Sequence, residues 1–329
     1  GRPDTDNLQS NPEGRTYMKY AIYKLSFSAG VHIGDGRLSK SKATFQADVL
    51  FSALCQEALK VMGETGLQQL VNYAKSGQLY LSDSMPYIND VLYLPKPMLR
   101  IEREDDDSSI KKQVKKLTYI SAEHYSEFLK GCLDVEEELF RMEQFGATEV
   151  RTRLNSRDDT GPYQVGVFHF GDKKSHNSGL YIIVAYAETE ILDFIEELLY
   201  HVGYEGIGGK VSSGLGKFEP VYEEVPDNLL QRLVHYEEYP CKITLSVSLP
   251  RDEELSKALE GASYGIILRS GFISSSDYAE HFQKKRDLYC LQAGSYIKNV
   301  YEGDIYDVST GGRHAVYRYA KPMFMGVDA

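Results

Sequence analysis

The chain has 329 residues, of which 42% are hydrophobic and 26% are charged, values typical of folded globular proteins. They exclude an intrinsically disordered or fibrous protein, and the length is that of two domains. Asp and Glu outnumber Lys and Arg by 48 to 37, which gives a formal net charge of -11. This balance excludes a protein that coats nucleic acid through its overall charge, so any nucleic-acid contact must come from a local basic surface.

Three features favour a cytoplasmic protein. The four cysteines, at positions 55, 132, 241 and 290, stand singly, without the spacing of a disulfide scaffold or a zinc site. No apolar run of about 18 residues is present to span a membrane, and no secretory signal precedes the first apolar segment. Residues 1–17 are polar, and we interpret them as a disordered leader outside the fold.

Residues 18–225 predict a mixed α/β domain. Ser41 or Thr44 is a candidate N-cap for its first helix, because orphan N–H groups there need an acceptor. The predicted order is strand, helix, short helix, two strands, β-hairpin with a long polar tip, buried strand and amphipathic helix, over residues 19–28, 45–62, 67–75, 79–81, 91–94, 149–170, 179–187 and 188–202. A final strand completes an order compatible with a ferredoxin-like βαββαβ unit that carries a projecting hairpin.

Residues 226–329 predict a second, more degraded α+β unit. Its boundary with the first unit falls within an acidic, proline-containing connection over residues 220–240. Strand-like segments lie at residues 241–249, 264–273, 294–300, 315–319 and 323–327, with a short helix at 252–259. The sequence therefore predicts an α+β protein with two ferredoxin-like domains.

The most informative segment is a glycine-rich basic loop that follows the second amphipathic helix. It contains Gly206, Gly208, Gly209, Lys210, Ser212, Ser213, Gly214, Gly216 and Lys217. Glycines allow backbone N–H groups to approach a ligand, and lysine and serine side chains supply donors for phosphate. The spacing matches neither a Walker A loop nor GxGxxG. The alternative is a flexible turn at a helix C-terminus, with Gly203 as the left-handed cap.

Four further segments carry residues suited to phosphate: the loop before the first helix, the hairpin, a second-half strand and the C-terminal tail. Their candidate residues are His32, Arg37, Lys40, Lys42, Arg151, Arg153, Arg157, Arg269, Gly311, Gly312, Arg313 and His314. Arg151 and Arg153 are two positions apart, so they face one side of a strand. The alternative is that these are solvated charges on ordinary surface loops.

In this order, the segments 34–58, 151–161, 206–218 and 293–327 resemble the RAMP superfamily of CRISPR RNA-binding proteins. Within it, they are similar to the family that forms the fourth subunit of the type III-A Csm interference complex. The resemblance implies two ferredoxin-like domains that cap the 5′ repeat-derived handle of crRNA. It also implies a bridge between the large polymerase/cyclase-like subunit and a backbone RAMP subunit, with target RNA met only indirectly. The hairpin would be a thumb that wedges between handle and guide.

The resemblance favours a subunit without catalytic activity, and the residues themselves predict no cofactor, metal site or membrane contact. One alternative is a metal-independent RAMP endoribonuclease that processes precursor crRNA, with His32 as general acid or base. No second catalytic partner stands at a recognisable spacing from His32, and the His and Cys residues show no metal-ligand spacing. Another alternative is a structural adaptor whose RNA contacts are incidental.

Overall fold

The computed structural model of the protein describes residues 17–103, 107–154, 161–171, 177–271, 284–312 and 315–328. The helices in these ranges are α1 (Ala47–Lys75), α2 (Ser108–Lys116), α3 (Tyr125–Leu129), α4 (Val135–Met142), α5 (Thr189–Glu205), α6 (Asp227–Val234) and α7 (Asp252–Ala258). Short 3-10 turns cover Glu143–Phe145, Val211–Ser213 and Tyr236–Glu238.

The strands of the first half are β1 (Lys19–Phe27), β2 (Leu79–Leu81), β3 (Met85–Ile88), β4 (Val91–Pro95), β5 (Tyr119–Ser121), β6 (Gly146–Leu154), β7 (Pro162–Phe170), β8 (Ser178–Tyr186) and β9 (Phe218–Glu223). Those of the second half are β10 (Cys241–Thr244), β11 (Ile266–Arg269), β12 (Leu288–Leu291), β13 (Tyr296–Ile297), β14 (Asp304–Asp307), β15 (Tyr317–Ala320) and β16 (Phe324–Val327). The mixed helix and strand content expected of an α+β protein is confirmed.

An antiparallel sheet organises the first half. Its described strands follow the order β5-β4-β3-β8-β1-β9, and β2 also pairs with β8. Strand β1 lies inside this sheet, with Lys24 opposite Tyr181 of β8 on one side and Val221 of β9 on the other. Successive side chains of a strand point to opposite faces. Tyr23 therefore enters a core with α1 and α5, whereas Ile22 enters a second core on the other face.

Both cores also receive side chains from the second half. Val247 and Tyr319 join the core beneath α1 and α5, and Ile243 and Met325 join the opposite core. In the second half, β10 lies between β13 and β16, and the pairs β11–β12 and β14–β15 form separate two-stranded sheets. The two halves are thus packed through shared apolar interiors, and the domain boundary between residues 225 and 226 stays a prediction.

The segments with the strongest periodicity are confirmed. The amphipathic helix predicted over residues 188–202 is α5, and its apolar residues at 191, 192, 195, 198, 199 and 202 are all buried. Strands β6 and β7 pair antiparallel from Gly146 opposite Phe170 to Leu154 opposite Pro162, which confirms the hairpin. Its tip, residues 155–160, lies outside the described residues, as does most of the predicted leader.

Helix α1 combines the two helices predicted over residues 45–62 and 67–75, with a kink between them at Gly63, where φ is 69° and ψ is -165°. The capping of α1 differs from its prediction. Neither predicted cap is used, because Ser41 accepts the Ile33 N–H and Thr44 accepts the Tyr119 hydroxyl. The Ala47 N–H instead donates to Asp83 Oδ1 at 2.8 Å, so the acceptor comes from a distant part of the chain.

Other differences arise where the local pattern is weak. The connection predicted over residues 220–240 contains α6, and the strand predicted over 241–249 ends at Thr244. The elements α2, α4, β3, β12 and β14 had no clear periodic signal. Within the described residues, no helix combines the length and the apolar character that crossing a bilayer demands.

Candidate nucleic-acid interface

Three segments that are distant in sequence meet at one surface, which we call the three-loop surface. They are the β1–α1 loop (28–46), the β6–β7 hairpin and the glycine-rich loop (206–217). The Val31 N–H donates to Phe168 of the hairpin at 2.9 Å. The glycine-rich loop joins through Gly216, whose N–H donates to the Gly30 carbonyl at 3.0 Å. Backbone hydrogen bonds therefore hold the basic segments in a fixed arrangement.

His32 connects all three segments. Its ring Nδ1 lies 2.7 Å from the Gly166 carbonyl in the hairpin, and its own carbonyl accepts the Gly209 N–H at 2.8 Å. Since a carbonyl oxygen only accepts, Nδ1 carries the proton in this contact. The residue is 6% exposed. His32 lies beneath the surface as a structural bridge, and we leave it out of the residues expected to touch RNA.

The glycines serve close packing. A Cβ at Gly216 would lie 2.0 Å from the Ile207 carbonyl oxygen, and one at Gly208 would lie 2.6 Å from that of His32. At Gly209 a Cβ would meet the His32 ring at 2.7 Å. Gly214 differs, since its surroundings are open and only its φ of 82° favours glycine. Most of these glycines thus allow close packing within the loop and against the β1–α1 loop. The sequence had predicted a different role for them, in which they expose backbone N–H groups to a ligand.

The alternative with Gly203 as a helix cap is wrong. Gly203 lies inside α5, where a Cβ would approach the Phe218 carbonyl oxygen to 2.2 Å. The helix ends at Gly206, which has a φ of 103° and donates its N–H to Val202. The glycine-rich loop therefore starts from a firm helix end.

The cations of this loop are placed over tyrosine rings. Lys210 has left-handed backbone angles, φ 58° and ψ 29°, and its Nζ lies 4.9 Å from the centre of the Tyr163 ring on β7. The Nζ of Lys217 lies 5.2 Å from the centre of the Tyr204 ring on α5. A cation over a ring keeps N–H groups for a further acceptor, so both ammonium groups remain able to bind phosphate. The predicted Ser212 and Ser213 are exposed between them.

The β1–α1 loop adds further positive charge. Arg37 and Lys40 are exposed, and Gly166 of the hairpin packs directly under the Lys40 backbone. Lys42 forms an ion pair with Asp35 at 3.8 Å, with side chains 40% and 45% exposed. An exposed pair of this length is weak, so Lys42 can exchange Asp35 for another anion.

The hairpin has a basic face and an apolar face. Arg151 and Arg153 lie opposite Val165 and Tyr163 across the strand pair, and cross-strand partners share a face. Since Val165 packs against Leu215, this basic face is turned toward the glycine-rich loop. The Arg151 guanidinium contacts Glu149 and His169, both at 3.1 Å, whereas Arg153 has no ion-pair partner within the described ranges.

The opposite face of the hairpin was not predicted. Val150 is 51% exposed and Leu154 is 81% exposed. Their alternation with the two arginines was the available signal, because side chains alternate across a strand. The hairpin therefore presents bare apolar side chains on its outer face as well as cations on its inner face.

The second-half candidates do not join the three-loop surface. Arg269 donates from Nε and Nη2 to the two oxygens of Asp48, both at 2.8 Å, so its guanidinium is engaged in an ion pair. Gly311 and Gly312 lie in the connection between β14 and β15. Arg313 and His314, like Arg157 in the hairpin tip, lie outside the described residues.

A Ser-His-Glu group elsewhere in the chain lacks the geometry of a catalytic relay. The His124 Nδ1 lies 3.1 Å from the Ser121 hydroxyl and 3.2 Å from Glu138 Oε2. A relay needs the acid on one ring nitrogen and the nucleophile on the other, but here both meet the same nitrogen. The described part of the chain also holds no group of three or more His, Cys, Asp or Glu placed to bind a metal ion.

Comparison with known proteins identifies the family. Residues 24–219 match the model of the RAMP superfamily, and residues 237–327 match that of the CRISPR Csm4 C-terminal domain. A relative from Mycobacterium tuberculosis H37Rv, described as CRISPR system Cms protein Csm4, is 36% identical over 313 residues, covering 94% of this chain and 98% of that protein. The chain belongs to the Csm4 family. The family resemblance seen in the sequence is thereby confirmed.

Other relatives of the Csm4 family agree. A Csm4 protein of Streptococcus thermophilus is 33% identical over 321 residues, covering 94% of this chain and 100% of that protein. A chain of a solved Csm3-Csm4 subcomplex in the type III-A CRISPR-Cas interference complex matches with a TM-score of 0.66 at 20% identity, over 95% of this chain and 100% of that one. In a Csm1-Csm4 cassette with pppApA the TM-score is 0.59 at 20% identity, over 94% and 98%. These structural similarities cover nearly the whole chain, so the fold is shared along nearly all of its length.

Proposed function

We propose that the protein is an RNA-binding subunit of a cytoplasmic type III-A CRISPR complex that holds the 5′ repeat-derived handle of crRNA. In this role it bridges the large polymerase/cyclase-like subunit and a backbone RAMP subunit, and it meets target RNA only indirectly. Two protein partners are supported by the Csm4 relatives, which were solved together with Csm3 and with Csm1. RNA binding is supported by membership of the RAMP superfamily.

The observation that carries the proposal is the meeting of cations, two exposed and two partly buried, at the three-loop surface of an otherwise acidic chain. Arg37, Lys40, Lys210 and Lys217 belong to two loops that are joined by backbone hydrogen bonds. A prearranged set of donors binds phosphates without the cost of ordering flexible loops. The net charge of -11 limits attraction elsewhere on the chain, which favours one defined RNA segment over nonspecific coating.

We extend the proposal to the domain type and the hairpin. The order β3-β8-β1-β9, with α1 and α5 in the core on one face, supports a ferredoxin-like first unit. In the second half the support is weaker, because β10, β13 and β16 form a smaller sheet. Leu154, at the described end of the hairpin, is the side chain we assign to the thumb that wedges between handle and guide.

We propose that the subunit has no nuclease activity of its own. The His32 Nδ1 is bound to Gly166, and the ring packs against Gly209 beneath the surface. A general acid or base must reach the proton that it transfers. The arrangement of His32 therefore supports a structural role over that of a catalyst in precursor crRNA processing.

The test replaces Lys210 and Lys217 by Ala in the reconstituted complex. Loss of two phosphate contacts should lower crRNA retention, and the slope of log K against log salt should shrink by about 0.7 for each contact with single-stranded RNA. Retention is measured as crRNA per purified complex over a salt series.

The matched control replaces Lys115 and Lys116, two exposed lysines of α2, by Ala. Helix α2 packs through Val114 against the core on the opposite face of the sheet, and the charge change is the same. The control should retain crRNA with an unchanged slope. Equal crRNA occupancy and equal slopes in both double variants would refute the assignment of the three-loop surface to RNA.

A further inference from the structure

A buried carboxylate joins the two halves of the chain. Asp48 lies in the first turn of α1, and its side chain is 1% exposed. Arg269 of β11 binds both of its oxygens at 2.8 Å, and Arg318 of β15 donates from Nη1 to Asp48 Oδ2. The two arginines come from different two-stranded sheets, so one carboxylate is shared by two cations.

A third cation, Lys285, interacts electrostatically with the two arginines. Its backbone N–H donates at 2.8 Å to the carbonyl of Gly271, two residues beyond Arg269 and the end of β11. Burial and the charge of Arg318 lower the pKa of Lys285. The lysine therefore experiences a surplus of positive charge.

The neighbouring acidic groups do not remove this surplus. Burial raises the pKa of the Cys55 and Cys290 thiols to about 12, so both are neutral near pH 7. Burial likewise raises the pKa of Asp83 to about 7, so this carboxyl supplies only part of a negative charge there. Three cations thus face Asp48 and at most one further carboxylate. The cluster also lies at the N-terminus of α1, where the helix dipole adds positive potential.

One donor of the cluster has no acceptor. The Arg318 side chain is 6% exposed, and its buried Nε finds no hydrogen-bond partner in the ranges that the structure describes. A buried donor without a partner destabilises the fold, more strongly when it belongs to a charged group. An anion beside Arg318 would satisfy this N–H and balance the excess charge.

We propose that this cluster is a binding site for a phosphate group, with the Nε of Arg318 and the ammonium of Lys285 as its donors. A phosphate offers several acceptor oxygens and pairs well with guanidinium groups. Lys285 is only half-buried, so a phosphate in solvent can approach the cluster at this residue. The group is either inorganic phosphate or a phosphodiester of bound RNA. The site is separate from the three-loop surface, so the test of this site does not depend on the function proposed for that surface.

The experiment measures the thermal midpoint of the full chain with inorganic phosphate up to about 10 mM, against chloride at equal ionic strength. At this concentration the general stabilising effect of phosphate on proteins is small. We expect a saturable rise of about 4 °C once phosphate reaches roughly 100 times its dissociation constant. Lys285→Gln should abolish the rise, and without phosphate it should unfold no earlier than the wild type because it removes like-charge repulsion.

The matched control is Lys284→Gln. Lys284 is the residue before Lys285 in the chain. It is exposed and forms an ion pair with Asp287 at 3.0 Å. This variant should keep the phosphate response. A wild-type midpoint that responds equally to phosphate and chloride overturns the proposal, as does a Lys285→Gln variant that still responds. The first result is also the one expected if a partner's carboxylate fills the site.

Salt titration with single-stranded RNA then separates the two sources of phosphate. If a phosphodiester occupies the site, Lys285→Gln lowers the salt slope of RNA binding by about 0.7 and Lys284→Gln does not. If RNA binding is unchanged while the phosphate response is lost, the ligand is inorganic phosphate. Both results support the site. If the Lys210 and Lys217 variants failed to alter crRNA retention, the proposed phosphate site would not be affected.

Discussion

At the scale of single residues, Gly216 is the position where the three-loop surface tolerates least change. Its φ of 76° lies in the left-handed region, and an added Cβ would stand 2.0 Å from the Ile207 carbonyl oxygen. The same residue donates to Gly30 and accepts from Ile207. Backbone atoms on both sides prevent the clash from being relieved by a rotamer change.

Gly216→Ala should therefore destabilise the protein by about 2–4 kcal/mol and displace the glycine-rich loop, since strain and overpacking act together. Chemical denaturation gives the stability, and crRNA retention gives the effect on the loop. The control is Gly34→Ala, because Gly34 is exposed and has open space where a Cβ would stand. A Gly216→Ala protein as stable as the control would show that the loop yields easily.

The glycine-rich loop also shows what residue types predict about a site and what they do not predict. Five glycines among lysines and serines indicated a special backbone, and the loop does have one. The reason was not readable from the sequence, because the atoms that Gly208 and Gly209 approach belong to His32. A residue about 175 positions away in the chain decides what each glycine is for, and composition carries no record of such contacts.

At the scale of elements, the start of α1 depends on a carboxyl group outside the helix. Asp83 Oδ1 accepts the N–H of Ala47 at 2.8 Å and that of Val247 at 2.9 Å. One buried oxygen thus fixes the first turn of α1 to the segment that follows β10. Local capping patterns pointed to Ser41 and Thr44, since a sequence pattern finds only acceptors adjacent to the helix.

Asp83 makes stability depend on pH in a defined direction. Burial raises its pKa to about 7 from 3.8, so the folded protein keeps this proton over a range in which the unfolded chain has lost it. The contribution of Asp83 to the free energy of unfolding is full below about pH 4 and declines as pH rises to about 7, by at most roughly 4 kcal/mol.

Asp83→Asn should remove this decline, because an amide oxygen still accepts both N–H groups and carries no charge to desolvate. Chemical denaturation from pH 5 to pH 8 should show the variant gaining stability over the wild type as pH rises. Asp90→Asn, which changes an exposed carboxylate in the β3–β4 turn, should follow the wild-type profile. An unchanged pH dependence in Asp83→Asn would contradict the assignment.

The elements differ in how much apolar surface they bury. Strand β1, strand β8 and helix α5 bury most of their apolar side chains, and they were predicted nearly to their ends. Helix α2 has no buried residue, and β13 keeps only two residues of the strand predicted over 294–300. Where few side chains are buried, the apolar period is short or missing, so the sequence gives little signal.

At the scale of the whole molecule, the two halves behave as one packed body. Tyr319 of β15 contacts the Phe51 ring of α1 and receives the Leu81 N–H at 2.9 Å through its hydroxyl. Two domains were predicted from length and from the order of elements, but neither reveals how the halves are joined. The chemistry of the junction also corrects the view of Arg269, which neutralises Asp48 of the first half.

Asp48→Asn tests this junction. The substitution keeps the size of the side chain but removes the negative charge that Arg269 and Arg318 share, leaving buried cations without a counter-charge. Breaking a buried ion pair in this way typically costs about 3–5 kcal/mol, and we expect the free energy of unfolding to fall by that amount. Chemical denaturation of the full chain measures it.

Asp35→Asn is the matched control, because it removes the same charge from the exposed pair with Lys42 and should change stability by less than about 0.5 kcal/mol. The difference between the two variants isolates burial as the cause, since both delete one carboxylate from an ion pair. If Asp48→Asn matched Asp35→Asn, the charge of Asp48 would add nothing to the apolar cores and hydrogen bonds that join the halves. A large difference instead makes Asp48 the electrostatic link through which the second half fixes the first helix.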